Sequence, residues 1–225
     1  MEDNKAKAFV LTIDGPAGAG KSTIAKIVAS KLGVSYLDTG AIYRSITLFL
    51  TRKGIETTDD EKIMAAMGEF DLSMREGRVF VNGEDVTLAI RTPEIDKAVS
   101  PYAALRLVRE SLLSLQRKQA ENGIVADGRD MGTVVFPDAD LKIFLTASAE
   151  ERAKRRYEER IARGEDADYD EILRQVNERD HYDMNREIAP LRPAPGCVIL
   201  DSTTMTIDEV ADAITALSAE IRGKN

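Results

Sequence analysis

Hydrophobic positions along the chain follow two rhythms that take turns. Short apolar, β-branched runs at residues 9–13, 34–37, 124–126, 141–145 and 198–200 have the length of strands. Between them lie longer segments with helical spacing, at 23–32, 41–52, 58–67, 105–122, 149–162, 169–188 and 210–222. Thr58 with Glu61, Ser148 with Glu151 and Thr206 with Glu209 form capping-box patterns, and Thr92-Pro93 opens a further helix with proline at its first position. Gly33, Gly54, Gly123 and Gly164 stand where helices should stop. Strands alternating with helices predict an α/β fold with a parallel sheet covered by helices on both faces.

One stretch breaks the rhythm. Residues 70–73, 79–81 and 85–86 read as short strands, with Glu76-Gly77 and Asn82-Gly83 at the turns between them. They predict a small antiparallel β insertion. The polar stretch 162–168 is the expected mobile loop.

Composition narrows the class. A chain of 225 residues, 43% hydrophobic and 31% charged, is long and apolar enough to fold around a sizeable core, as one large domain or a core with insertions. Its formal charge of −8 argues against general nucleic-acid binding, although basic residues can still gather in a cleft for a small anion. A single cysteine, Cys197, excludes an internal disulfide and is expected to be a small buried apolar residue ahead of the last strand. No apolar run has the length of a membrane span and no signal core opens the chain, so the cytoplasm is the expected compartment.

The chemistry is written most clearly after the first strand. Gly15-Pro16-Ala17-Gly18-Ala19-Gly20-Lys21-Ser22 fits G-x-x-x-x-G-K-[ST] between a predicted strand and a predicted helix. Glycines let the backbone turn its N–H groups toward phosphate oxygens, and the helix N-terminus adds its positive dipole end. Lys21 is expected on the β- and γ-phosphates, and the Ser22 hydroxyl in a magnesium shell. Such a loop fits a small-molecule kinase, a GTPase switch or an ATPase module. The guanine-reading Asn-Lys-x-Asp is missing, since Asn4-Lys5 lies ahead of the first strand and lacks the Asp, and there is no Asp-x-x-Gly switch. A motor needs a larger partner-facing assembly.

Further residues suggest an acceptor. Asp38-Thr39-Gly40-Ala41-Ile42-Tyr43-Arg44 follows the second strand and reads equally as a second-substrate pocket or as a helix cap with an exposed arginine. Asp127-Gly128-Arg129-Asp130 ends the strand at 124, where Asp127 suits magnesium-bound water and Arg129 a phosphate. Arg152, Arg155, Arg156, Arg160 and Arg163 recur at helical spacing, as a lid over the γ-phosphate for some of them, or as a solvated helix with the pairs Glu151–Arg155 and Glu159–Arg163. Arg179, Asp183 and Arg186 are expected on one helix face, suited to a base edge and a phosphate or to a salt-bridge ladder. His181, the single histidine, receives no chemical role.

These segments, with Ile13-Asp14, Met131-Gly132-Thr133-Val134-Val135-Phe136-Pro137-Asp138-Ala139, Lys142-Ile143-Phe144-Leu145, Ala189-Pro190-Leu191 and Leu200-Asp201-Ser202-Thr203, resemble bacterial cytidylate kinases in order over nearly the whole chain. The resemblance implies a P-loop, adenylate-kinase-like fold. It has a core at 1–38, 105–148 and 170–225, a monophosphate-binding part with the β insertion at 39–104, and a helical lid at 149–169. It implies transfer of the γ-phosphate of ATP to CMP or dCMP with Mg2+, in a cytoplasmic monomer without nucleic-acid or membrane partners. The expected ATP residues are Gly15, Pro16, Ala17, Gly18, Ala19, Gly20, Lys21, Ser22, Thr23 and Arg156. The expected CMP residues are Thr39, Tyr43, Arg44, Ser100, Arg109, Arg129, Asp130, Arg179, Asp183 and Arg186. Of these, Ser100 and Arg109 come from the resemblance alone. Lys21, Arg129, Asp130 and Arg186 are expected at the chemistry, with Mg2+ on Ser22 and on Asp127 through water. Another small acceptor, such as UMP or shikimate, and a non-catalytic nucleotide-binding module are the competing readings.

Overall fold

The computed structural model describes residues 8–75 and 77–223. They group into two compact units, one from residues up to 37 with 117–185 and 189 onward, the other from 38–116 with 186–188.

The first unit is built on five strands: β1 (Val10–Asp14), β2 (Ser35–Asp38), β6 (Ile124–Gly128), β7 (Leu141–Thr146) and β8 (Val198–Asp201), in the order β2-β6-β1-β7-β8. β1 runs parallel to both β6 and β7, and β7 parallel to β8. Successive β1 side chains face opposite sides of the sheet. Leu11 and Ile13 join a core with Ile24, Ala25 and Val28 of α1 (Lys21–Leu32) and Val210, Ala211 and Ile214 of α8 (Ile207–Arg222). Thr12 and Asp14 face the other way and are equally buried. Both faces of this strand are therefore covered, as a parallel sheet requires. α6 (Ala149–Ala162) and α7 (Tyr169–Asn185) pack together through Ala153, Ile172 and Val176.

The second unit holds α2 (Thr39–Arg52), α3 (Asp60–Met67), α4 (Pro93–Ala104), most of α5 (Arg106–Lys118) and the antiparallel sheet β3-β4-β5 (Leu72–Arg75, Arg78–Val81, Glu84–Asp85). Asn82 and Gly83 both have positive φ (49° and 82°), the conformation that a two-residue hairpin turn asks of Asn-Gly. The inner face of this sheet, with Val79 and Val81, packs with Ala41, Leu48, Ile90 and Ile95.

Several expectations need correction. The third helix is capped by Asp59, whose carboxylate accepts the Lys62 N–H, rather than by the Thr58–Glu61 box. The helix after Leu105 gives way at Lys118 to a 3-10 stretch, Gln119–Asn122. α7 stops at Asn185, because the Asp183 carbonyl accepts the Leu191 N–H at 2.8 Å and Pro190 cannot continue a helix. Cys197 is half-buried rather than buried, since it precedes β8 at the sheet edge, where Ile199 is 61% exposed. A π-helical turn at Met131–Val135 was not expected from the sequence.

Candidate active site

The loop from Gly15 to Gly20 joins β1 to α1. A Cβ at Gly15 would lie 1.9 Å from the Leu145 carbonyl oxygen, so the chain passes β7 at a distance that only glycine permits. Gly20, at φ 83°, is the N-cap of α1 and supplies no side-chain cap. The first N–H groups of α1 are thus not capped by their own N-cap side chain, which leaves an anion site at the helix start. Lys21 is buried, and its Nζ donates to the Pro16 carbonyl at 2.7 Å. Burial first, and then the positive charge of Arg129, hold its ammonium well below the usual lysine range, while Asp127 pulls the other way. Phosphate charges placed here would favour the ammonium.

Beside the loop, Asp127 at the end of β6 is buried and accepts from two hydroxyls, Ser22 Oγ at 2.8 Å and Tyr36 OH at 2.9 Å. A serine hydroxyl paired with a carboxylate supplies hard oxygen donors, and Mg2+ takes few such protein ligands while keeping waters and substrate phosphates. The residues present therefore fit the expected ion.

The turn after β6 carries Arg129 and Asp130. Arg129 Nε donates to Asp183 Oδ2 at 2.8 Å, and Asp183 is buried on α7 with Arg179 one turn before it. Asp130 is 1% exposed and sits at the N-cap of the Met131–Val135 turn, yet its side chain makes no cap bond. The cap comes from Asp14, whose two carboxylate oxygens accept the Met131 and Gly132 N–H groups at 2.8 and 2.7 Å. Burial raises the Asp14 carboxyl from 3.8 to about 7; the two amides and Lys21 oppose the rise, and Asp130 adds to it.

The α6 arginines divide. Arg152 is buried, donating to the carbonyls of Ala147 (2.9 Å) and Ala17 (3.0 Å) and to Asp180 of α7 (2.6 Å). It binds the phosphate loop to both helices. Arg155 pairs with Glu151, as the spacing predicts, and donates to the Ser202 carbonyl. Arg163 pairs with Glu165 and not with Glu159, because it lies past the last turn of α6 at its C-cap. Arg156 stays beside the loop, with its Nε 3.5 Å from the place a Gly18 Cβ would take.

In the second unit, Asp38 caps α2 by accepting the Ala41 N–H at 2.8 Å. Thr39 and Tyr43 on α2 are buried, and Arg44 is engaged by Asp96 of α4 at 2.7 Å rather than exposed. Arg109 of α5 is buried, donates to the Ala103 carbonyl, and stacks over the Tyr43 ring at 5.2 Å from its centre. Ser100 is half-buried on α4. Arg186 lies beyond the end of α7, so only Arg179 and Asp183 share its face, and Arg186 groups with this second unit.

A family model described as cytidylate kinase matches residues 11–220. The chain belongs to the cytidylate kinase family. Among its relatives, the cytidylate kinase of Desulfitobacterium hafniense is 48% identical over 215 residues, covering 94% of this chain and 93% of the relative. That of Bacillus subtilis is 48% identical over 213 residues, with 92% and 95% covered. That of Thermosipho africanus is 49% identical over 211 residues, with 93% and 94% covered.

For this cytidylate kinase family member, sequence reasoning overlooked four residues that the site uses. Asp14 and Tyr36 hold site groups in place, while Asp96 and Asp180 engage arginines. Asp14 alone left a trace in the pattern, a buried carboxylate closing an otherwise uncharged strand.

Proposed function

We propose that this member of the cytidylate kinase family transfers the γ-phosphate of ATP to CMP or dCMP, giving ADP and CDP or dCDP, by direct in-line displacement. The observation that carries the reading is the family match across residues 11–220, which spans both the phosphate loop and the Asp127–Asp130 turn. The acceptor phosphate brings its own nucleophilic oxygen, so the protein needs no covalent intermediate and works by positioning and charge neutralisation.

The loop residues 15–23 take the ATP phosphates, with Lys21 on the β- and γ-oxygens and Arg156 beside the loop. Ser22, and Asp127 through water, would hold Mg2+, which when bound supplies positive charge at the β- and γ-phosphate oxygens. Tyr36 and Ser22 orient Asp127 by their hydroxyls. The acceptor residues are Thr39, Tyr43, Arg44, Ser100, Arg109, Arg129, Asp130, Arg179, Asp183 and Arg186. Arg129 and Arg186 neutralise charge on the transferring group, and Asp130 and Asp183 orient the acceptor. Residues 149–169 act as the lid that excludes water. No helix among the described residues is long and apolar enough to cross a membrane. We place the enzyme in the cytoplasm as a monomer.

The test is ADP formation from ATP and magnesium with CMP, dCMP, UMP, AMP, GMP or shikimate supplied singly. Turnover concentrated on CMP and dCMP is expected. Turnover on another acceptor alone would overturn the acceptor assignment, and slow ATP hydrolysis indifferent to acceptor would overturn the kinase.

A further inference from the structure

The first N–H groups of a helical turn have no partner within it and normally take one from the N-cap side chain. At Met131–Val135 the N-cap residue is an aspartate, among the best capping residues, yet Asp130 does not cap. The bonds come instead from Asp14, 117 and 118 positions earlier in the chain. Both are short and buried, one to each carboxylate oxygen. The fit behind them is tight: a Cβ at Gly132 would come within 3.0 Å of Thr12 Oγ1, 3.1 Å of the Ala194 Cβ and 3.4 Å of Asp14 Oδ2. Within the turn, the Asp130 carbonyl accepts from Val134 and Val135.

Asp14 is also the residue immediately before Gly15, and Met131 immediately follows Asp130. One carboxylate therefore joins the start of the phosphate loop to the turn that presents Arg129 and Asp130.

We propose that Asp14 is a positioning residue for the acceptor: by capping the Met131–Val135 turn in place of Asp130, it sets the register of that turn, and of Arg129 and Asp130 just before it, against the phosphate loop. The inference rests on the cytidylate kinase reading of the site. On this reading Asp14 acts through the turn rather than on a substrate. Its loss should fall on the side of the reaction that Arg129 and Asp130 serve.

The experiment compares the full chain with Asp14→Asn and Asp14→Ser, measuring kcat and KM separately for CMP and for ATP. Asparagine keeps one acceptor oxygen but turns an amide donor toward the second N–H, and serine is too short to reach both. We expect kcat/KM for CMP to fall about ten-fold or more in both variants, while KM for ATP stays within about two-fold. A folded Asp14→Asn protein with unchanged CMP parameters, or with CMP and ATP affected alike, overturns the proposal. Should neither variant fold, scalar coupling across the hydrogen bonds, from the Met131 and Gly132 amides to the Asp14 carboxyl carbon, is measured in the unmodified protein. Its presence is expected, and its absence overturns the proposal. Failure of the unmodified chain to phosphorylate CMP would instead refute the underlying functional reading, so the two failures are distinct.

Discussion

Arg129 and Asp183 meet at 2.8 Å, with the carboxylate almost wholly buried, and so tie the turn after β6 to α7. Removing one member of a buried pair leaves the other charge poorly compensated. Arg129→Met should therefore lower stability by about 3 kcal/mol as well as impairing CMP turnover. Asp183→Asn should keep more stability than Arg129→Met does. Chemical denaturation read alongside CMP kinetics checks both, and a fully stable Arg129→Met protein would show that the pair does not hold the turn.

Lys21 Nζ donates to the Pro16 carbonyl of its own loop. Lys21→Ala should reduce kcat by about 10²–10³-fold, the scale seen when one charge-stabilising donor is lost. Near-normal turnover in that variant would remove Lys21 from the chemistry.

The Ser22–Asp127–Tyr36 chain predicts the metal response. Chelation of magnesium should abolish transfer. Asp127→Asn should raise the magnesium concentration needed for half-maximal rate by about ten-fold or more, and Tyr36→Phe should raise it by less, because it removes an orienting bond rather than the carboxylate. Metal binding can be followed independently by the quenching of a fluorescent nucleotide with Mn2+. Unchanged metal dependence in Asp127→Asn would argue that the carboxylate serves the loop alone.

Asp14 gives a pH signature in stability. Its carboxyl is raised from 3.8 to about 7 by burial. The folded state thus holds this proton more tightly than the unfolded one. The group's stabilising contribution is complete below about pH 4, declines as pH rises toward 7, and is lost above that. The stability of the unmodified protein relative to Asp14→Asn should accordingly shrink between pH 4 and 7 and be level above pH 8. A difference independent of pH would mean that Asp14 ionises normally.

Gly15 allows no substitution. With the Leu145 carbonyl 1.9 Å from where a Cβ would sit, Gly15→Ala should cost more than about 3 kcal/mol, or prevent folding, whereas Gly33→Ala, with open space around it, should cost less. Thermal melts of the two variants make the comparison.

How much of this was legible beforehand depended on how local the cause was. The strands, the phosphate loop, the Asn82-Gly83 hairpin and the Thr206–Glu209 box are written in residues within a few positions of one another, and they form as read. The end of α7 was misplaced because its stop signal, the Leu191 N–H returning to Asp183, lies outside the helix. The Met131–Val135 turn and its cap were invisible because the cap is supplied from another strand. The arginines of α6 look alike in sequence. Only packing separates Arg152, buried under the loop, from Arg163, exposed at the helix end.

That separation leaves α6 anchored near its first turn. Arg152 fastens one end through Ala17, Ala147 and Asp180. Ten residues on, Ala162 lies about 15 Å along the axis. The anchor joins an ion pair to two backbone carbonyls, so the point at which α6 is held is set by where the arginine sits along the helix.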